Sequence, residues 1–331
     1  MNTFSSATQP RVVVVGSYGV GLTFSMERVP EAGETVVGHS FSIDDGGKGS
    51  NQAIAASRLG AAVTLCTVVG SDQYGRRAHD LWDTEQVDSR LVRTVDGNTM
   101  VGMIVVDGLG ENRIAIVPGV LDAFAPQHLI GLDEALIGAD VLVVGLEIPV
   151  ATAHAALLAG RRAGVTTVLN PAPAPPGPLP AETLALVDHL TPNRTEAARL
   201  AGLPSDTAPE TIIEADCFAA IATVALTLGA DGVLLRHHGA DVAISAIAVS
   251  PVVDTTGAGD SFTAAYAVRL ASGDNASAAA IFAVRAAGHC VGIAHVIPSL
   301  PYLGDLAPLA PGTPAMTGTS NTQAIHAEGI T

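Results

Sequence analysis

Residues Val253–Phe262 read V-D-T-T-G-A-G-D-S-F. An apolar strand is expected to end at Val253. Three residues with almost no side chain follow, Gly257, Ala258 and Gly259, and a helical pattern runs from Gly257 to Leu270. A ligand can approach such backbone N–H groups closely. A helix N-terminus favours an anion there, such as a transferring phosphate. Asp260 comes next, so its carboxylate lies beside the anion site. From there it can take a proton from a hydroxyl attacking that phosphate. The isolated string G-A-G-D fits an ordinary Gly-rich turn with a capping Asp equally well.

Outward from this stretch, short apolar runs alternate with helical patterns. The runs are Val12–Val15, Val63–Val69, Val141–Val144, Val165–Leu169, Val224–Leu228 and Val233–Leu235. Ser50–Leu59, Pro126–Ile137, Val150–Ala163 and Asn193–Ala201 have helical spacing. Continuous apolar strands separated by helices predict a parallel sheet covered on both faces. Two regions break the rhythm. Val36–Ile43 and Met100–Val117 look like strands without helices between them, the second a hairpin turning at Asp107–Glu111. They predict a small β-sheet projecting from the main body. Six prolines between Pro171 and Pro180 require a loop.

Asp45–Asn51, D-G-G-K-G-S-N, stands before a helix. Gly46, Gly47 and Gly49 free the backbone to wrap a small polar ligand, and Lys48 and Asn51 add donors. The spacing is not that of a Walker A loop. A turn with a helix cap also accounts for it. Thr191–Glu196, T-P-N-R-T-E, places Asn193 and Glu196 on one helix face, where an amide and a carboxylate can hold hydrated Mg²⁺ beside a triphosphate. The same spacing makes a capping box, which the motif alone favours. Glu147 follows a strand, where open α/β sheets bind ligands. Thr227–Gly232 ends another strand and can line a nucleotide. The Gly16–Gly21 run is G-x-x-G-x-G with no helix after it, which argues against a dinucleotide site.

The chain's 331 residues are ample for a buried core. A net charge of −16 disfavours nonspecific binding to nucleic acid. Cys66, Cys217 and Cys290 match no metal spacing and read as reduced core residues of a cytoplasmic protein. No apolar run reaches the roughly 18 residues that cross a bilayer, and residues 1–10 lack the pattern of a signal peptide. Residues 308–331, rich in Gly, Pro, Ser and Thr, are expected to fray.

Taken together the motifs resemble the ribokinase-like, or PfkB, family of carbohydrate kinases. The resemblance rests on Gly46–Gln52 (G-G-K-G-S-N-Q) and Asp254–Asp260 (D-T-T-G-A-G-D). Leu169–Ala174 (L-N-P-A-P-A) and Thr191–Glu196 look like the ribokinase branch. It runs from about Val12 to Pro301. It implies a three-layer α/β/α sandwich with a mainly parallel sheet over residues 11–307. Segments of about 17–45 and 97–121 would form a β-sheet lid over the sugar, often used as a homodimer contact.

The resemblance implies ATP-dependent phosphorylation of a primary hydroxyl. Asp260 would be the base, and the amides of Gly257, Ala258 and Gly259 would stabilise the charge on the γ-phosphate. Gly47, Lys48, Asn51 and Glu147 would hold the sugar. Asn193, Thr227, Gly229 and Gly232 would line ATP, and Glu196 would organise Mg²⁺ through water. Asp254, Thr256, Cys290, Ile293, His295 and Ser299 fall where ribokinases bind a monovalent cation such as K⁺.

Four positions depart from the family pattern. Gly19 and Gly21 replace an Asn and an Asp that contact sugar hydroxyls. Leu121 replaces an Asn after the hairpin, and His295 replaces a Gly in the cation loop. The first two predict that ribose is a poor substrate. They also predict open space, lined by Tyr18, for a bulkier one, unless a water or Glu27 takes over the lost contacts. A nucleoside or polyol kinase is the alternative within the class. A noncatalytic sugar or nucleotide sensor is the alternative outside it.

Overall fold

The computed structural model describes residues 9–306. The tail expected at 308–331 lies outside the described residues. In chain order the strands are β1 (Arg11–Val15), β2 (Gly19–Ser25), β3 (Ser40–Gly46), β4 (Ala62–Cys66), β5 (Val68–Gly70), β6 (Arg93–Val95), β7 (Met100–Val106), β8 (Asn112–Val117), β9 (Val141–Gly145), β10 (Thr166–Asn170), β11 (His189–Leu190), β12 (Thr223–Thr227), β13 (Val233–His237) and β14 (Ala240–Ile244). The helices are α1 (Lys48–Arg58), α2 (Gln73–Thr84), α3 (Leu132–Leu136), α4 (Val150–Ala163), α5 (Ala181–Leu184), α6 (Arg194–Leu200), α7 (Pro209–Ile213), α8 (Ala258–Ala271), α9 (Ala276–Cys290) and α10 (Val296–Ser299).

Eight strands form the central sheet in the order β14-β13-β12-β11-β10-β9-β1-β4. It is parallel from β4 to β12, and β13 and β14 add an antiparallel edge. The all-Val run of β1 shows why both faces are covered. Val12 and Val14 join the core beneath α1, α8 and α9, and Val13 and Val15 join the core beneath α3 and α4. Successive side chains alternate faces, so a strand apolar at every position must be buried twice. Where α8 meets α9 the buried positions are largely alanine, including Ala264, Ala265, Ala279, Ala280 and Ala283, which lets the axes approach closely.

A second sheet, β3-β2-β7-β8, stands apart from the first. Its hairpin turns where expected, with Asp107 Oδ1 accepting from the N–H groups of Leu109 and Glu111. Strand β3 starts at Ser40, not at Val36, because its pairing with β2 runs from Ser25↔Ser40 to Gly19↔Gly46. Strand β2 itself went unread. Its sequence G-V-G-L-T-F-S alternates apolar Val20, Leu22 and Phe24 with small or polar residues, which is a half-buried strand's period.

Three other expectations fail. No strand precedes Val253. After β14 the chain runs as a connection with Val252 and Val253 exposed, and Val253 N–H bonds Val291 O at 2.8 Å. Pro251 has no N–H to give a sheet ladder there. Pro126–Ile137 is a 3₁₀ turn and the short α3, separated at Gly131, whose φ of 88° no L-residue adopts readily. Val63–Val69 divides at Thr67 between β4 in the central sheet and β5, which among the described residues pairs only β6.

Candidate active site

Asp260 does not cap its helix. Gly257 is the N-cap, in the left-handed region at φ 84°, and a Cβ there would lie 2.9 Å from Val296 Cγ1. Gly259 faces open space. Asp260 turns inward and is only 6% exposed. Its Oδ2 accepts from Asn51 Nδ2 at 2.8 Å and its Oδ1 from Gln52 Nε2 at 3.2 Å. Gln52 Nε2 also donates to Asn170 Oδ1 at 3.1 Å, and Asn170 Nδ2 donates to Thr191 O at 2.9 Å. Four separated sequence motifs therefore meet in one buried polar network. Gln52 is not among the expected site residues, although it closes the Gly46–Gln52 motif at the helix start. Asn51 Oδ1 and Gln52 Oε1 are buried with no partner among the described residues. Such orphans cost about 1–3 kcal/mol each.

The loop before α1 needs its glycines. Gly47 has φ 87°, and a Cβ on it would lie 2.5 Å from Tyr18 Cα. A Cβ on Gly49 would lie 2.5 Å from Ser17 N. The Lys48 N–H donates to Glu147 Oε2 at 2.9 Å, and Ser17 Oγ donates to the same oxygen. Glu147 thus clamps this loop to the end of β9. The negative charge of Asp260 raises the Lys48 ammonium, burial opposes this, and Glu147 and Glu196 add to the rise. Burial pushes Glu196 up, with Asp260 adding to it. Lys48 therefore feels the charges of Asp260, Glu147 and Glu196, and Glu196 feels those of Lys48 and Asp260.

Asn193 and Glu196 form the capping box. Asn193 Oδ1 accepts from Glu196 N–H and Glu196 Oε2 from Asn193 N–H, both at 2.8 Å. A β-bridge joins Asn193 to Thr227, whose N–H donates to Pro192 O at 2.9 Å. Gly229 faces open space. Gly232 is required by packing, since a Cβ there would lie 2.0 Å from Ile244 O.

Burial pushes the Asp254 carboxyl up, but hydrogen bonds from Thr256 and His295 outweigh it and hold it low. The backbone N–H of Thr256 donates at 2.9 Å and that of His295 at 3.2 Å. Nearby, Cys290 Sγ donates to Ser299 O at 3.3 Å, and Ile293 N–H donates to Cys290 O at 3.1 Å. Arg58 fastens the following segment through Ile297 O and Leu300 O, both at 2.7 Å. Among the described residues no cluster of three or more His, Cys, Asp or Glu can hold a metal. A cation in this loop would rest on backbone carbonyls.

At the second sheet the expected open space is largely filled. A Cβ on Gly19 would lie 2.4 Å from Met100 Cε. Tyr18 does not line the space. It is fully buried, edge-on to Trp82 at 5.2 Å, with its hydroxyl donating to Asp45 Oδ1 at 2.7 Å. Glu27 keeps its side chain exposed, 3.8 Å from His39 Nε2, and its carbonyl accepts from Gly108 N–H at 3.0 Å. Leu121 is buried in the core beside β1. All three thiols are free, Cys66 and Cys290 buried as expected and Cys217 only half-buried.

Residues 9–302 match the family model described as pfkB family carbohydrate kinase. The chain is 36% identical to the ribokinase of Bacillus subtilis over 276 residues, covering 83% of this chain and 91% of the relative. Identity to the ribokinase of Staphylococcus aureus is 34% over 301 residues, covering 89% and 98%. The structure superposes on Arabidopsis thaliana ribokinase complexed with ribose and ATP with a TM-score of 0.84 at 32% identity, covering 90% of this chain and 98% of that one. The family match over residues 9–302, with ribokinase relatives at 34–36% identity and a ribokinase fold, places the protein in the pfkB family of carbohydrate kinases, as a sugar kinase of the ribokinase type.

Proposed function

We propose that this kinase moves the γ-phosphoryl group of ATP to a primary hydroxyl of a polyhydroxy acceptor, with Asp260 as general base. One observation carries the reading. Asp260 is buried beside the open Gly259, its carboxylate aimed by Asn51 and Gln52. The acceptor oxygen attacks phosphorus, the bond to the bridging oxygen of ADP breaks, and the hydroxyl proton passes to Asp260. The amides of Gly257, Ala258 and Gly259 meet the charge that builds on the transferred group. Lys48 lies close enough to offset charge on Asp260 and Glu196. Gly47, Asn51 and Glu147 hold the acceptor end, and Asn193, Thr227, Gly229 and Gly232 line ATP.

The donor set fits a hydrated divalent ion, since Glu196 is raised by burial and a nearby positive charge would relieve it. Mg²⁺ when bound would neutralise phosphate charge, with Glu196 holding its water shell. A monovalent cation such as K⁺ would rest on carbonyls of Asp254, Thr256, Cys290, Ile293, His295 and Ser299. Residues 11–307 act as one kinase domain, with segments of about 17–45 and 97–121 as a lid that excludes water. The exposed Phe24, Phe41, Ile43 and Met103 of the lid support pairing with a second copy. Free thiols support a cytoplasmic setting. ADP release measured against pentoses, hexoses, linear polyols and nucleosides tests the reading. An absence of acceptor-dependent release across the panel overturns it.

A further inference from the structure

We propose that Asp44 on β3, oriented by His295, reads the acceptor's hydroxyls in place of the acid that Gly21 lacks. The inference rests on the sugar-kinase reading above.

The antiparallel register pairs Gly21 directly with Asp44. Directly opposite residues put their side chains on the same face of a sheet. That face is the one a side chain at Gly21 would occupy. A Cβ there would lie 3.3 Å from Ile104 Cδ1 and 3.8 Å from Asp44 O. A carboxylate therefore stands on this face one strand over from Gly21, about 4.8 Å across the sheet.

The carboxylate is aimed at the body of the enzyme. Asp44 Oδ1 lies 3.2 Å from His295 Nδ1, and Asp44 Oδ2 accepts from Ser42 Oγ at 2.6 Å. His295 N–H donates to Asp254 Oδ2, three residues before the N-cap Gly257. Asp44 thus stands over the loop that opens α8. Its side chain is 37% exposed and that of His295 56%, so both can still meet a ligand.

His295 adds a second reason. Its φ is 65°, in the left-handed region that glycine adopts freely and other residues adopt at a cost. An imidazole kept in that conformation sets its Nδ1 3.2 Å from Asp44 Oδ1. Two departures from the family pattern, at Gly21 and His295, therefore converge on one carboxylate. Ile104 and its cross-strand partner Ile114 give the same face an apolar side. The ligand that fits is a polyhydroxy acceptor longer than ribose, with hydroxyls reaching β3 and a less polar stretch against Ile104.

A purely mechanical latch between lid and body is the competing account, and kinetics separates the two. The full chain and Asp44→Asn are assayed for ADP release with ribose, hexoses, linear polyols and nucleosides. The preferred acceptor's KM should rise about tenfold to a hundredfold in Asp44→Asn. The KM for ATP should hold, and kcat should stay within a few-fold. Asp44→Glu should restore part of the loss, and His295→Gly should raise the same KM less. Ribose should be affected least. An unchanged acceptor KM in Asp44→Asn overturns the inference, as does a fall in kcat common to all acceptors at constant KM. If acceptors bind but none drives ADP release, the kinase reading fails instead. Calorimetric Kd values of the same variants then decide Asp44 by the same fold-changes. If no member of the panel binds, both fail.

Discussion

Asn51 Nδ2 donates to Asp260 Oδ2 at 2.8 Å across 209 positions of sequence. The bond ties the start of α1 to the start of α8, so the loop proposed to hold the acceptor also aims the proposed base. Asp260→Asn keeps the shape but removes the proton acceptor, and it sets an amide against the donors of Asn51 and Gln52. Acceptor binding should survive while turnover falls about 10²–10⁴-fold. Near-normal kcat in that variant would end the general-base assignment.

The outer face of the second sheet carries the next expectation. Phe24 and Phe41 are register partners with ring centroids 4.9 Å apart, and Phe41 is 54% exposed. Asp44 lies three residues on and so points to the opposite face. On the proposed lid reading, this face is left for a second copy while the other covers the acceptor. Phe41→Asp should weaken dimerisation at least tenfold in sedimentation equilibrium while leaving the monomer folded. A wild-type chain that stays monomeric at high micromolar concentration would refute the pairing.

The sequence made the central sheet legible because Val12–Val15 in β1, Val141–Val144 in β9 and Val224–Leu226 in β12 are unbroken apolar runs. The same logic failed where pairing, not composition, sets the ends of a strand. Strand β3 is placed by its register with β2, and the 253 region loses its ladder at Pro251. At the site, the motifs named Asp260, Asn51 and Lys48 from local chemistry. The network through Gln52, Asn170 and Thr191 was not legible, because its members lie up to 208 positions apart. The role expected for Tyr18 failed for the same reason. Nothing near it in the sequence announces Trp82, the ring that draws it inward.

His189 should make stability pH-dependent. Burial pushes its imidazole down to about 4 from 6.5, with its Nδ1 2.9 Å from Tyr266 Oη. Between those values the unfolded chain binds a proton that the folded chain refuses. Stability is therefore full above pH 6.5 and falls as pH drops through the window, by up to about 3 kcal/mol at its lower end. Urea unfolding at pH 7 and pH 5 should show His189→Gln losing about 2 kcal/mol less than the wild type between the two. Equal losses would remove His189 as the source.

Gly19 gives the last expectation, because its missing side chain has been replaced in space. Met100 Cε lies 2.4 Å from where a Cβ would stand, and Met100 O lies at 3.0 Å. Gly19→Asn restores the polar group of the family pattern, but it must displace a buried methionine and should cost about 1–3 kcal/mol of stability. Met100→Ala alone should cost about 2–5 kcal/mol through the cavity it leaves. In the double variant the new side chain occupies that cavity, so the two losses should not add, and the cycle should show coupling of about 1 kcal/mol or more. Ribose kinetics reads the functional side. Hydrogen bonds to charged groups contribute roughly 1.5–3 kcal/mol each, so a chain lacking the acid at Gly21 should use ribose tenfold to several hundredfold less efficiently than its preferred acceptor. Gly21→Asp should raise ribose kcat/KM, because Ile104 Cδ1 is a mobile side-chain end that can yield at 3.3 Å. High ribose efficiency in the wild type, unchanged by Gly21→Asp, would show that this face of the lid does not select the acceptor.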